Sequence, residues 1–99
     1  MTREEIIEKL KAMEPELRAR GITRLQMFGS RARGDNREDS DLDLLIEYKR
    51  PETASGWDFF GIGPELTEKL GVETSVTEDH KDIKPRHRRE FTPDLVPIF

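Results

Sequence analysis

The chain has 99 residues, of which 33% are hydrophobic and 38% charged, with a formal net charge of -4 and no cysteine. That length predicts one small domain over residues 1–99, and the lean core predicts that a partner completes part of its apolar surface in a homo- or hetero-oligomer. The acidic balance excludes a protein built to wrap a polyanion, the lack of cysteine excludes disulfides and thiolate metal sites, and no apolar run approaches a membrane span.

Thr2, with Glu5 three residues on, forms a capping-box pattern, and Ile6, Ile7, Leu10, Met13 and Leu17 fall on one helical stripe. The charged opening MTREEIIEKL lacks the apolar stretch of a signal peptide, so a soluble cytoplasmic protein is expected. Pro15 should end the first helix near Met13 and start a second, short one that Gly21 closes. ITRLQMFG reads as a first strand, with Ile22, Arg24 and Gln26 alternating against Thr23, Leu25 and Met27. SRARGDNREDS is polar and has room for one or two helical turns. DLDLLIEY is the second and most apolar strand, followed by KRPETASG as a polar loop.

In WDFFGIGPELTEKLG, residues Phe59, Phe60, Ile62, Leu66 and Leu70 recur at helical spacing, while Pro64 and the glycines weaken the first half. Both phenylalanines are expected in the core. VETSVT is a weak third strand, DIKPRHRREF a short basic helix starting at Pro85, and TPDLVPIF an apolar tail punctuated by prolines. The basic run Lys84 to Arg89 reads as a solvated or partner-binding face, so direct nucleic-acid binding is not expected. His80 and His87 have no metal-ligand spacing and read as surface residues.

Chemistry concentrates at the second strand. Residues two apart in a strand project from one face, so Asp41 and Asp43 point together while Leu42, Leu44 and Ile46 turn into the core. Paired carboxylates resist ionising unless a cation lies between them, and a hard ion such as Mg²⁺ takes carboxylate oxygens while keeping other positions for water and phosphate. Polar strand-entry residues facing water are the plain alternative. A calcium loop starting at Asp39 fails, because its sixth position is Leu44 and its twelfth is Arg50. Gly29 lets backbone approach a ligand, and Ser30 begins a helical turn where free N–H groups and a hydroxyl suit phosphate. Arg31 and Arg33 lie in the same turn and could neutralise phosphate oxygens.

Gly29-Ser30, ten intervening residues and Asp41-x-Asp43, with RARG after the serine and SDLDLLI around the acids, resemble the signature of DNA-polymerase-β-type nucleotidyltransferases. The similarity is closest to their smallest members, the minimal nucleotidyltransferase (MNT) domains, and extends over nearly the whole chain. That resemblance implies an α/β (α+β) fold with a small mixed sheet of about three strands flanked by helices. It implies transfer of a nucleoside monophosphate from an NTP, here AMP from ATP, with two Mg²⁺ ions held by Asp41 and Asp43. Gly29 and Ser30 would grip the β- and γ-phosphates.

Free-standing MNT domains are often encoded beside a HEPN-type helical toxin, act as its antitoxin, and in some cases adenylylate one of its tyrosines. The family's third carboxylate would fall on Glu73 if Val72, Thr74 and Val76 point inward. From the downstream residues its place falls instead on Thr74 or Ser75, leaving no third acid. An antitoxin-like binding subunit that neutralises by masking is the alternative reading. With no second helical domain in this chain, the acceptor is expected to be presented by another protein.

Overall fold

A computed structural model of the protein describes residues 2–52, 58–79 and 94–99. The stripe of apolar residues forms α1 (Arg3–Ala12), and Pro15 lies in the first turn of α2 (Glu14–Ala19). Thr2 caps α1: its hydroxyl oxygen accepts the Glu5 N–H at 3.1 Å and meets Glu5 Oε1 at 3.3 Å. Gly21, at φ 106°, turns the chain out of α2 into β1 (Ile22–Phe28). There follow α3 (Ser30–Arg33), β2 (Leu42–Tyr48), α4 (Asp58–Leu70), β3 (Thr74–Glu78) and β4 (Val96–Pro97).

The strands make one mixed sheet in the order β3-β2-β1-β4. β1 pairs antiparallel with both β2 and β4, while β2 and β3 run parallel, joined across α4. Helices α1, α2 and α4 supply Ile6, Leu10, Leu17, Ile62, Leu66 and Leu70 to the single core cluster. The sheet supplies Leu25, Met27, Leu42, Leu44 and Ile46. Among the described residues no helix is long and apolar enough to cross a membrane.

Four details depart from simple periodicity. A register irregularity between Ile22 and Arg24 turns Ile22 into the core, instead of onto the face it would share with Arg24. The apolar tail is a fourth strand: Gln26 and Met27 pair with Pro97 and Val96, and the Ile98 N–H donates to Leu25 O at 2.8 Å. Proline is tolerated in so short an edge strand because an outward-facing residue needs no N–H.

α4 runs through Pro64 without a break. The proline costs about 3 kcal/mol, but burying Ile62, Leu66 and Leu70 returns roughly 1.5–3 kcal/mol each. Finally, the two phenylalanines part company. Phe59 packs against Tyr48 with ring centroids 5.3 Å apart, whereas Phe60 is 67% exposed. Trp57, His80, His87 and the expected basic helix at Pro85 lie outside the described residues.

Candidate active site

Strand pairing sets the site. Phe28 is the register partner of Asp43, so the chain leaving β1 bends beside that aspartate. The bend is Gly29, at φ 80° and ψ -162°, a combination open in practice only to glycine. A Cβ on Gly29 would lie 2.5 Å from Asp43 Oδ2, so the missing side chain makes room for the carboxylate as well as for the backbone path. Ser30 then opens α3. Its carbonyl accepts the N–H groups of Gly34 and Asp35 at 2.9 and 3.1 Å, and Gly29 O accepts that of Arg33 at 3.1 Å. The spacing of the Gly-Ser pair and the Asp-x-Asp pair therefore closes onto one corner of the sheet.

One carboxylate there is electrostatically stressed. Asp43 is half-buried, and its pKa is raised first by loss of solvent and then by the negative charge of Asp41. Asp41, one residue before β2, is exposed. A divalent cation would relieve both effects, which is the sense in which this pair fits a metal. Among the described residues, no group of three His, Cys, Asp or Glu is arranged to hold one. The protein thus offers a cation two carboxylates and leaves its remaining positions to water and ligand oxygens.

β3 determines what stands next to the pair. Thr74 is buried, and Val72 and Val76 pack against the core, so the inward register anticipated for this strand is the one observed. In the parallel pairing Thr74 is opposite Leu42 and Ser75 is opposite Asp43. Glu73 precedes the strand, its carbonyl accepting the Leu42 N–H at 2.8 Å and its side chain exposed at the level of Asp41. The residue abreast of Asp43 is a serine.

Both arginines of α3 have partners within the protein. Arg31 is 4% exposed, and its Nε and Nη2 donate to Ser40 O at 2.9 Å and Glu38 O at 3.3 Å. Arg33 is on the surface, with Nε 3.2 Å from Asp35 Oδ2 and Nη1 2.9 Å from Asp94 Oδ2. Hydrogen bonds to Asp35 and then Asp94 raise its pKa further. A cavity of about 550 Å³ is lined by Arg33 together with Thr2, Arg3, Glu4, Ala32, Gly34 and Asn36. Its lining includes neither aspartate. Sequence reasoning singled out Gly29, Ser30, Asp41 and Asp43; it missed the burial of Arg31, for which an arginine in a polar stretch gives no signal.

The chain matches the nucleotidyltransferase domain family over residues 3–96. It is 44% identical over 77 residues to the protein adenylyltransferase MntA of Thermococcus cleftensis, covering 77% of this chain and 76% of that protein. MJ0435 of Methanocaldococcus jannaschii, to which protein adenylyltransferase activity is provisionally assigned, is 40% identical over 85 residues, covering 86% and 88% of the two chains. Among solved structures, one provisionally described as a minimal nucleotidyltransferase superposes with a TM-score of 0.77 at 31% identity, covering 98% of this chain and 96% of that one. A chain from a toxin–antitoxin crystal structure with AMP-PNP shares the fold, with a TM-score of 0.67 at 14% identity over 90% of this chain and 70% of that one.

Proposed function

Because the chain belongs to the nucleotidyltransferase domain family, we propose that it transfers AMP from ATP to a tyrosine hydroxyl of a HEPN-type toxin and so acts as an antitoxin. Membership makes it a nucleotidyltransferase; the donor, the acceptor and the setting are the proposal. Relatives named as protein adenylyltransferases support a protein acceptor, and a chain of this fold solved with AMP-PNP in a toxin–antitoxin pair supports an adenine nucleotide and a toxin–antitoxin setting. The HEPN-type partner and its tyrosine rest on the family resemblance alone. The reading assigns the reaction to the cytoplasm, where ATP and Mg²⁺ are available.

The observation that carries this reading is the contact geometry of Gly29 and Asp43, which brings the Gly-Ser bend and the acidic pair to one corner. In the proposed reaction the tyrosine oxygen bonds to the α-phosphorus, the bond to pyrophosphate breaks, and one proton is released. Ser30 donates its hydroxyl to a phosphate oxygen, and Gly29 allows close backbone approach. Asp41 and Asp43 would hold Mg²⁺, which when bound offsets the charge of the triphosphate and polarises the α-phosphate. Glu73, at the mouth of β3, is the remaining candidate for a third carboxylate.

The test is to incubate the protein with Mg²⁺, a co-encoded helical partner and ATP labelled at the α- or the γ-phosphate. Label from the α-position on a partner tyrosine is expected, with none from the γ-position and none with Asp41→Asn/Asp43→Asn. No transfer to a partner that still forms the complex would contradict the proposal.

Ser75 favours a second reading, in which turnover is slow and neutralisation rests on complex formation. A missing general base lowers a rate by about 10²–10⁴-fold. Under that reading the double variant, devoid of transfer, would still neutralise its partner.

A further inference from the structure

We infer that Arg31 is a positioning residue whose buried guanidinium clasps the segment entering Asp41, tying the Gly-Ser bend to the acidic pair. The inference rests on the reading above, in which Asp41 and Asp43 hold the cation.

A guanidinium at 4% exposure is expensive to desolvate unless its N–H groups are matched. Here the acceptors are main-chain carbonyls, Ser40 O for Nε and Glu38 O for Nη2. Arginine's rigid fork reaches two carbonyls two residues apart; a lysine ammonium, as a point donor, does not reproduce that geometry. Both ends of the clasp matter. Arg31 is the next residue after Ser30, and Ser40 is the residue before Asp41.

Asp41 is exposed, so side-chain packing does not hold it and its direction is set by its backbone. Downstream, that backbone is anchored by the Leu42 N–H on Glu73 O. Upstream, residues 37 to 40 form a turn in which Ser40 N–H donates to Arg37 O at 3.1 Å and Arg37 N–H to Ser40 Oγ at 2.9 Å. Arg31 fastens this turn to α3. Arg33, two residues along, ends on the carboxylates of Asp35 and Asp94, which lead to no site residue. Arg31 therefore acts on the cation through Asp41 and makes no phosphate contact.

The test is Mn²⁺ binding, read by electron paramagnetic resonance without nucleotide or turnover, for the wild type, Asp43→Asn, Arg31→Gln and Arg31→Lys. Asp43→Asn should abolish binding. Both Arg31 variants should raise the Mn²⁺ dissociation constant at least about tenfold, as loss of a ligand-orienting partner does elsewhere. Failure of lysine to rescue separates the fork from its charge.

If Asp43→Asn loses Mn²⁺ while both Arg31 variants bind like the wild type, the clasp is overturned and the two-carboxylate reading stands. If Asp43→Asn itself binds normally, both fall together. Should the Arg31 variants fail to fold, hydrogen exchange at the Arg31 Nε–H of the unaltered protein decides. Slow exchange, unchanged by MgATP, is expected; rapid exchange overturns the clasp.

Discussion

Ser75 stands directly beside Asp43 on the parallel pair of strands β2 and β3, on the face that carries the acidic pair. A carboxylate introduced there would join Asp41 and Asp43 without any change of backbone. Ser75→Asp should therefore tighten Mn²⁺ binding about tenfold, since affinity at oxygen-ligand sites follows ligand charge. Glu73→Gln, compared in the same titration, measures what the existing acid contributes. A Ser75→Asp variant that binds Mn²⁺ no better than the wild type would show that this position does not face the cation.

Gly29 is held at a backbone conformation that other residues adopt only at a cost of about 1–3 kcal/mol, and a Cβ would collide with Asp43 Oδ2. Gly29→Ala is expected to lower stability in urea by at least that amount and to weaken nucleotide binding together with it. Unchanged stability would mean that the bend relaxes freely and does not set the position of Asp43.

The raised pKa of Asp43 has a sign that can be measured. The folded state binds this proton more tightly than the unfolded chain, so without metal its stability falls as pH rises from the unfolded carboxyl value through the folded one. The penalty is absent below the unfolded value, roughly pH 3.9, and complete only above the folded one. In EDTA, Asp43→Asn should melt higher than the wild type at neutral pH, and the difference should shrink as the pH is lowered. Mg²⁺ should raise the melting temperature of the wild type and leave the variant unmoved. A variant less stable than the wild type in EDTA at neutral pH would contradict the electrostatic account.

Thr67 links α4 to β3: its hydroxyl donates to Gly63 O at 3.0 Å and accepts the Thr74 N–H at 2.9 Å. Thr67→Val removes the acceptor and leaves a part-buried N–H at the first residue of β3, at a cost of about 1–3 kcal/mol. Urea unfolding measures that cost. Because Thr74 fixes the register that sets Ser75 beside Asp43, the variant should also lose the gain brought by Ser75→Asp when the two are combined.

Much of this arrangement was legible in the residues because its signals are local. Thr2 and Glu5 announce the start of a helix, Pro15 its interruption, and the apolar run after Asp41 a buried strand. The corner that unites Gly29 with Asp43 could be anticipated because a short excursion between paired strands returns near its origin. What escaped depends on contacts far apart in sequence. The pairing of Pro97 with Gln26, the turning of Ile22 into the core and the choice of Ser75, among Glu73, Thr74 and Ser75, as the neighbour of Asp43 are matters of register, and single-strand periodicity does not encode register. Arg31 looked like a solvated phosphate ligand because its acceptors are main-chain carbonyls, which every residue carries alike.

Amide correlation spectra recorded while Mn²⁺ and ATP are added in small increments test the location of the chemistry most directly, because the paramagnetic ion broadens its neighbours first. The account predicts that the signals of Gly29, Ser30, Asp41 and Asp43 fade earliest and together. Broadening that begins instead around Thr2 and Arg33, or along the basic stretch near Arg86, would contradict it.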